Sequence, residues 1–327
     1  MTDPEASYRS PEAPAPRVLE PLDALGRILG GIDALRNLRA LATLLGAFAS
    51  AGLLLAMAEA SLARGAAWWG PIQAGAALTV AFYGGNAAGL LVMDQARGAG
   101  VRDIGDALRD ALASAHRLIV ALLMLLALGS IVAGAMVGLL WLCRSAVSGP
   151  VLGPLLFGLA VPLAVLVFGA LLLALLTVVV PLAAPAVWSG ASALAVVREL
   201  LGLIRTRLLT VALLMGAVSL LAAAVGAVAS FVVMAGGRIV AELGVAVVGV
   251  EVPAQQLMGG LFGYGLRSLG AAGAPVAATT HGAAALVGGG VVFALALVLP
   301  GLVYLRGACA VYLAVHGAAA PMRIATA

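Results

Sequence analysis

Hydrophobic residues in this chain gather in six long runs, near 40–59, 71–93, 118–142, 155–180, 208–234 and 285–316. A helix needs roughly 20 mainly apolar residues to cross the hydrocarbon core of a bilayer. Each run reaches that length. The pattern therefore predicts an all-α, polytopic membrane protein with six transmembrane helices.

Regularly spaced charges precede two of these runs. The stretch GVRDIGDALRDALASAHR occupies 100–117, and GASALAVVRELLGLIRTR occupies 190–207. Both form a helix with one polar and one apolar face, the pattern of a helix that lies in the membrane interface. A fainter third copy, LDALGRILGGIDALRNLRALATLL, begins at Leu22. The recurrence predicts three repeats, each an amphipathic interfacial helix followed by a transmembrane hairpin.

The apolar side of each charged segment can be read from the helical period. In the fainter copy that begins at Leu22 it comprises Leu25, Ile28, Leu29, Ile32 and Leu35. In the segment at 100–117 it comprises Val101, Ile104, Leu108, Ala111, Leu112 and Ala115. In the segment at 190–207 it comprises Leu194, Val197, Leu200, Leu201 and Ile204, and Arg198, Glu199, Arg205 and Thr206 lie opposite. We expect all three helices to lie on the cytoplasmic surface.

Domain boundaries follow from the repeats. A tail at 1–19, rich in Pro and acidic residues, lacks the continuous apolar core of a cleavable signal peptide and is predicted to be disordered. The repeat units are predicted at 20–93, 94–187 and 188–327. The last unit includes an outer loop at 235–284, which we expect to lie on or dip into the outer leaflet.

Composition supports the membrane assignment. Hydrophobic residues make up 63% of the chain and charged residues 10%, with a mean hydropathy of +1.15. Soluble domains are about half apolar and about one quarter charged. The bilayer is therefore the expected environment, and no nucleic-acid partner is expected. Two cysteines indicate neither a disulfide framework nor a cysteine metal site.

Arginine placement predicts the orientation. With the N-terminus in the cytoplasm, thirteen arginines lie inside: Arg9, Arg17, Arg27, Arg36, Arg39, Arg97, Arg102, Arg109, Arg117, Arg198, Arg205, Arg207 and Arg323. Four lie outside: Arg64, Arg144, Arg238 and Arg267. Trp68, Trp69 and Trp141 then fall near the outer boundary and Trp188 near the inner one. An arginine-only, Ala-rich and Gly-rich composition favours a bacterial origin, so we predict the bacterial cytoplasmic (inner) membrane with both termini cytoplasmic.

Polar groups within the spans are the first candidates for function because each is costly to bury without a partner. These candidates are Glu59, Asn86, Asp94 and Arg306. We expect Asn86 to form an interhelical hydrogen bond, and Asp94 and Arg306 to form an ion pair at the inner boundary. The alternative is a proton or substrate path through these groups.

Basic residues on the inner helices form a second set of candidates. They are Arg102, Arg109, Arg117, Arg198, Arg205 and Arg207. Anionic headgroups attract each basic side chain near the surface by about 1 kcal/mol. These arginines therefore predict a surface that senses lipid or docks a protein partner; alternatively, they only seat the hairpins in the membrane.

Motifs for catalysis are not found. Asp103, Asp106 and Asp110 share one helix face, but the upstream acid of a CDP-alcohol phosphotransferase metal motif is not in the required arrangement. No H-E-x-x-H motif, Walker A loop, Rossmann fingerprint or serine-protease motif appears either. We predict no catalytic residue, metal or cofactor, and leave enzymatic activity open.

The stretch PLAAPAVWSGASALAVVRELLGLIRTRLL resembles a known module. Pro-rich sequence at Pro181 and Pro185 ends the fourth span, Gly190 marks a turn, and basic residues follow, which are Arg198, Arg205 and Arg207. Over about 20–317 the chain resembles the membrane domain attached to some bacterial glycerophosphodiester phosphodiesterases and found in stand-alone bacterial membrane proteins. The resemblance implies a membrane module without the catalytic barrel, and hence no hydrolase activity.

These observations favour a non-catalytic membrane scaffold, anchor or lipid-interacting accessory subunit. Its expected partners are the bilayer, anionic lipid headgroups and another membrane protein. A small permease or transporter component is the alternative, if a polar cavity surrounds Asn86, Asp94 and Arg306. An intramembrane lipid enzyme is a third reading, which would need clustered acids or histidines.

Overall fold

The computed structural model describes residues 26, 29–65, 67–249 and 280–316. Every regular element within these residues is helical. A 3₁₀ helix, Gly30–Arg36, precedes the α-helices α1 (Leu38–Ala63), α2 (Trp69–Ala96), α3 (Ile104–Leu142), α4 (Ser145–Ser148), α5 (Leu152–Ala174), α6 (Val180–Trp188), α7 (Ala193–Leu243) and α8 (Thr280–His316). One π-helical turn, Leu175–Val179, joins α5 to α6, and another, Gly244–Val248, extends α7.

Six segments are long and apolar enough to cross a membrane, which confirms the predicted number of spans and the all-α class. They lie at Leu38–Leu55, Trp69–Ala96, Ile104–Leu142, Leu152–Trp188, Ala193–Val247 and Ala294–His316. This architecture indicates a multi-pass membrane protein. Residues 235–248, predicted as the start of the outer loop, instead continue α7. The predicted tail at 1–19 lies outside the described residues, as do 250–279 and 317–327.

The charged segment at 100–117 is not a separate helix. It forms the first turns of α3, which continues without interruption for 39 residues. At 1.5 Å per residue this helix is about 58 Å long, far more than the roughly 30 Å of hydrocarbon that it would cross. In α7, by contrast, the backbone leaves helical geometry at Arg207 (φ −138°, ψ 20°), at the end of the aligned charged segment. The threefold repeat therefore stays a prediction.

The segment before α1 also differs from its prediction. It is a 3₁₀ helix, in which residues three apart align, and Gly31, Ala34 and Asn37 are the buried ones. Leu29 and Ile32, expected on its apolar face, are 56% and 46% exposed. The prediction assumed the α-helical period, which places a different set of side chains against the bundle.

The second half of α2 forms the centre of the bundle. Nine consecutive residues, 86–94, are buried because α1, α3, α6 and α8 all pack around them. Helices in a membrane associate closely where small residues let the backbones approach. Ala87, Ala88 and Gly89 supply such a surface here.

Trp188, the last residue of α6, lies directly on this surface. A Cβ added at Gly89 would overlap the indole ring. The indole Nε1 donates a hydrogen bond to Asn86 Oδ1 at 3.1 Å, and Asn86 Nδ2 donates to the Phe82 carbonyl at 2.8 Å. Asn86 is therefore the interhelical hydrogen bonder that its position predicts. Trp188, in contrast, is 7% exposed and is not a lipid-facing belt residue.

The π-helical turn before α6 explains how Trp188 reaches α2. Pro181 has no N–H and its ring would collide with a carbonyl of a regular preceding helix. A π-helical turn is wider than an α-helical one, and here Val180 N–H donates to the Leu175 carbonyl immediately before Pro181. The chain thus continues through the proline as a helix, and α6 ends with Trp188 against Gly89.

The spans contain two G-x-x-x-G patterns, Gly85 to Gly89 and Gly134 to Gly138, which predict close helix packing. In the first, Gly89 is in close contact, but Gly85 has nothing within 4 Å of an added Cβ; it is Gly84 that meets Ala47 of α1. In the second, neither Gly134 nor Gly138 has a neighbour within that distance among the described residues.

We expect Gly89→Ala to lower the free energy of unfolding by about 1–3 kcal/mol, because the added methyl group must displace the Trp188 ring. Thermal unfolding in detergent micelles would measure the change. Gly134→Ala is the matched control, since it lies in an equivalent motif with open space around it. Equal melting temperatures for the two variants would contradict the central position of Gly89.

Candidate functional site at the polar end of the bundle

Hydrogen-bonded polar side chains concentrate at one end of the bundle. This end is formed by residues 30–39, the turn at 94–103, the turn at 188–193 with the first part of α7, and residues 306–316 of α8. We call it the polar end. Three of the four intramembrane candidates and all six predicted surface arginines belong to this end or to the helices that enter it. Glu59 lies near the opposite end of α1, and its side chain is outside the described part.

Asp94 is held by Arg102 in a bidentate ion pair. Arg102 Nε donates to Asp94 Oδ2 at 2.6 Å and Nη2 donates to Oδ1 at 2.7 Å, while Nη1 donates to Asp110. The Asp94 side chain is 9% exposed. The hydrogen bond to Asp94 raises the pKa of the Arg102 guanidinium further above its ordinary value, so Arg102 stays charged. Arg102 is thus a structural clamp and not a free membrane-surface residue.

The expected ion pair between Asp94 and Arg306 is therefore wrong. The turn after α2 explains the difference: Gly98 adopts φ 68°, and the Ala99 N–H bonds back to the Asp94 carbonyl. This tight turn returns the chain so that Arg102, eight residues on, reaches the carboxylate. A partner on a nearby turn needs less chain ordering than a partner on a distant helix.

Arg39 at the start of α1 holds the same turn from the other side. Its Nη1 donates to the carbonyls of Val101 and Arg102 at 2.8 and 3.1 Å, and lies 3.1 Å from Asp103 Oδ1. Asp103 and Asp110 are thus neutralised by arginines. Among the residues with described side chains, no group of three His, Cys, Asp or Glu could hold a metal ion.

Asn37 joins the 3₁₀ helix, α1 and α2. Its Oδ1 accepts from the Ala40 N–H at 3.0 Å, which caps α1, and its Nδ2 donates to the Leu91 carbonyl and to Gln95 Oε1. Gln95 Nε2 in turn donates to the Asp33 carbonyl at 2.9 Å. The segment before α1 is therefore fixed to the end of α2 through side-chain amides.

A second cluster ties α8 to α7, and sequence analysis missed it. Tyr312 OH donates to Glu199 Oε1 at 3.0 Å and lies 3.1 Å from Ser189 Oγ. His316 Nε2 contacts the same Glu199 oxygen, and its Nδ1 lies 2.9 Å from the Tyr312 carbonyl. Both imidazole nitrogens thus face oxygen acceptors, and only the imidazolium form donates to both. The cluster is Ser189, Glu199, Tyr312 and His316.

Glu199 had been placed on the polar face of an amphipathic surface helix. In the structure it is half-buried and bonded to α8, and the residues that the bundle buries in this first part of α7 are Val196, Leu200 and Leu203. A signal for the cluster does exist in the sequence: Tyr312 and His316 are four residues apart and share one face of α8. What the sequence lacks is the distance from this face to Glu199.

Arg306 lines a pocket of about 260 Å³ at the polar end. The pocket is bounded by Gly30, Asp33, Ala96, Arg306, Ala310 and Leu313. Arg306 Nε is buried and has no hydrogen-bond partner among the described residues. Asn86, Asp94 and Arg306 therefore do not share one polar cavity, because the first two are occupied by Trp188 and Arg102.

Five of the predicted surface arginines are exposed: Arg109, Arg117, Arg198, Arg205 and Arg207. Arg109 lies 4.0 Å from Asp106 one turn away. Arg207 Nη1 donates to the Val315 carbonyl at 3.1 Å, near the end of α8. Within the described residues, Arg117, Arg198 and Arg205 have no carboxylate within 4.0 Å.

No protein-family model, curated protein or solved structure was found to match this chain. The resemblance to the membrane domain of glycerophosphodiester phosphodiesterases therefore stays a prediction from the residues quoted for it. Function has to be argued from the polar end itself.

We expect Arg102→Gln to lower the free energy of unfolding by about 1.5–3 kcal/mol, because it leaves the Asp94 carboxylate buried without its charged donor. Asp94→Asn should have a similar effect. The double variant should cost less than the sum of the two, since both changes remove the same interaction. Reversible denaturant titration in mixed micelles would measure this coupling.

The matched control is Asp106→Asn, which removes the exposed neighbour of Arg109. Such exposed pairs contribute between about 0 and 1 kcal/mol. A strictly additive double variant of Asp94 and Arg102 would contradict the clamp.

We expect Glu199→Gln to loosen the end of α8, because a neutral amide cannot hold the His316 imidazolium as a carboxylate does. Amide hydrogen exchange at 310–316 should become faster and the melting temperature should fall. Glu242→Gln is the control, since the partner of Glu242 among the described residues is exposed Arg238, four residues away on α7. Unchanged exchange in Glu199→Gln would show that the cluster does not anchor α8.

Proposed function

We propose that this protein is a non-catalytic integral membrane protein of the bacterial cytoplasmic membrane that acts as a lipid-interacting scaffold, anchor or accessory subunit. Its polar end lies on the cytoplasmic side with both termini, and it binds anionic headgroups there. The observation that carries the proposal is the set of exposed arginines without a nearby carboxylate, Arg117, Arg198 and Arg205.

The distinction between clamped and free arginines supports this proposal. Arg39 and Arg102 serve the fold, because Asp94, Asp103 and Asp110 neutralise them. Arg117, Arg198 and Arg205 are not neutralised in this way within the described residues, so their charge is available to a ligand. Anionic lipids of the cytoplasmic leaflet attract such side chains by about 1 kcal/mol each.

The alternative of a small permease is less well supported. It relied on a polar cavity shared by Asn86, Asp94 and Arg306. In the structure Asn86 is bonded to Trp188 and Asp94 to Arg102, so only Arg306 faces the pocket. These bonds favour structural roles for Asn86 and Asp94.

The proposal is tested by mass spectrometry of the protein extracted with its surrounding lipids in polymer nanodiscs. We expect the triple variant Arg117→Gln, Arg198→Gln and Arg205→Gln to retain less anionic lipid relative to zwitterionic lipid than the unaltered protein, by about twofold or more. The difference should shrink in high salt, since exposed charges are screened.

The matched control changes three arginines at the opposite end, Arg64→Gln, Arg144→Gln and Arg238→Gln, and alters net charge equally. It should leave the lipid ratio as it was if the polar end carries the interaction. Equal loss in both triple variants would reduce the effect to net charge and contradict the proposal. Proteins that co-purify in fixed ratio with the unaltered chain would identify the partner that an accessory subunit requires.

A further inference from the structure

Arg306 is the one arginine of the described residues with a buried side-chain nitrogen that lacks a partner. Three other arginines at the polar end have acceptors: Arg102 binds carboxylates, Arg39 binds backbone carbonyls and lies beside Asp103, and Arg207 binds the Val315 carbonyl. Leaving a buried donor unpaired destabilises the fold, and more so when the group is charged. The buried Nε itself has almost no accessible surface, so an acceptor from outside the chain has to reach the guanidinium through the part of Arg306 that lines the adjacent pocket.

The pocket beside Arg306 has room for such an acceptor. Its volume of about 260 Å³ exceeds the roughly 30 Å³ that one water occupies in the liquid. Arg306, Ala310 and Leu313 form one wall, since they lie on the same face of α8. Gly30, Asp33 and Ala96 form the opposite wall, which places the pocket at the level where α2 ends.

Asp33 does not neutralise Arg306. No contact within 4.0 Å joins their charged groups in the part of the chain described, and the Asp33 side chain, which is 61% exposed, lies 3.7 Å from Arg36 instead. The carboxylate nevertheless lines the same pocket, so it should weaken the binding of an anion there. Removing the Asp33 charge should therefore strengthen anion binding, whereas removing the Arg306 charge should weaken it.

We propose that the Arg306 pocket binds one phosphate group. A guanidinium presents paired N–H donors that match phosphate oxygens, and it stays charged at all relevant pH values. The apolar wall of Ala310 and Leu313 suits the carbon chain attached to a phosphate diester. The phosphate is that of an anionic lipid headgroup or of a free phosphate ion; the first source rests on the proposed lipid-binding function, and the second does not.

The test uses the full chain in nanodiscs made only of phosphatidylcholine, with two probes added separately: inorganic phosphate, and short-chain phosphatidylglycerol. Binding is followed by the shift in melting temperature and by native mass spectrometry. We expect saturable binding of one probe molecule per chain. Saturation by inorganic phosphate identifies a free-ion site, whereas saturation by the lipid alone identifies a headgroup site.

Arg306→Gln should weaken this binding at least tenfold. Asp33→Asn should tighten it severalfold, because among the described residues Asp33 is the one carboxylate that lines the pocket; a purely structural role for Arg306 does not predict this gain. Arg109→Gln, which removes an exposed charge outside the pocket, should have no effect. If Arg306→Gln fails to fold, the Asp33→Asn result still decides the matter.

Failure of this inference can be separated from failure of the proposed function. The triple variant at Arg117, Arg198 and Arg205 should lose bulk anionic lipid yet keep the single saturable site. If no probe saturates, or if Asp33→Asn leaves affinity unchanged, the pocket does not bind phosphate, whatever the outcome for the exposed arginines.

Discussion

The contact between Trp188 and α2 is the constraint on which the polar end depends. Nine consecutive residues of α2 are enclosed by four helices, and the small side chains at 87–89 let neighbouring helices approach closely. Gly89 leaves room for the indole ring, and Asn86, three residues earlier, accepts the indole N–H. Because Trp188 ends α6, this contact also fixes where the chain turns into α7. Ser189 follows directly and meets Tyr312, so the position of α8 is set from the same point.

Because α2 is enclosed, its buried polar groups need hydrogen-bond partners from other parts of the chain. Residues 86–94 are buried, and a buried polar group without a hydrogen bond destabilises the fold. Trp188 donates a hydrogen bond to Asn86, Arg102 donates to Asp94, and Asn37 donates to the Leu91 carbonyl. These bonds come from three different parts of the chain, so together they define the rotation of α2 as well as its depth. Arg39 and Arg102 hold the turn at 94–103, whereas Arg117, Arg198 and Arg205 are exposed and have no carboxylate within 4.0 Å in the described residues.

Sequence was sufficient for the six spans and insufficient for the pairings. Span number depends on the length and hydropathy of each run, which are local properties, and it was predicted correctly. The partner of Asp94 depends on a turn made by Gly98, and a helical-wheel projection contains no information about that turn. Glu199 was assigned to the outer face because an isolated amphipathic helix has no information about how α8 will pack. The segment at 30–36 was read with a period of 3.6 residues, whereas its actual period of three buries Gly31, Ala34 and Asn37. Of the site residues, Asn86 was placed correctly because a lone amide within an apolar run has few options besides an interhelical bond.

Arg306 differs from these polar residues in the partners that surround it. A structural arginine in so apolar a chain is expected to resemble Arg102, which binds carboxylates on two sides. Arg306 instead lines a pocket with one carboxylate on the far wall, and its buried Nε has no acceptor within the described residues. Placing a guanidinium at this depth disfavours the bundle unless something compensates for it, and glutamine or leucine would fill the same position at lower cost. The imbalance is thus better explained by a ligand that completes the site than by packing, and an oxyanion is the ligand whose geometry a guanidinium matches.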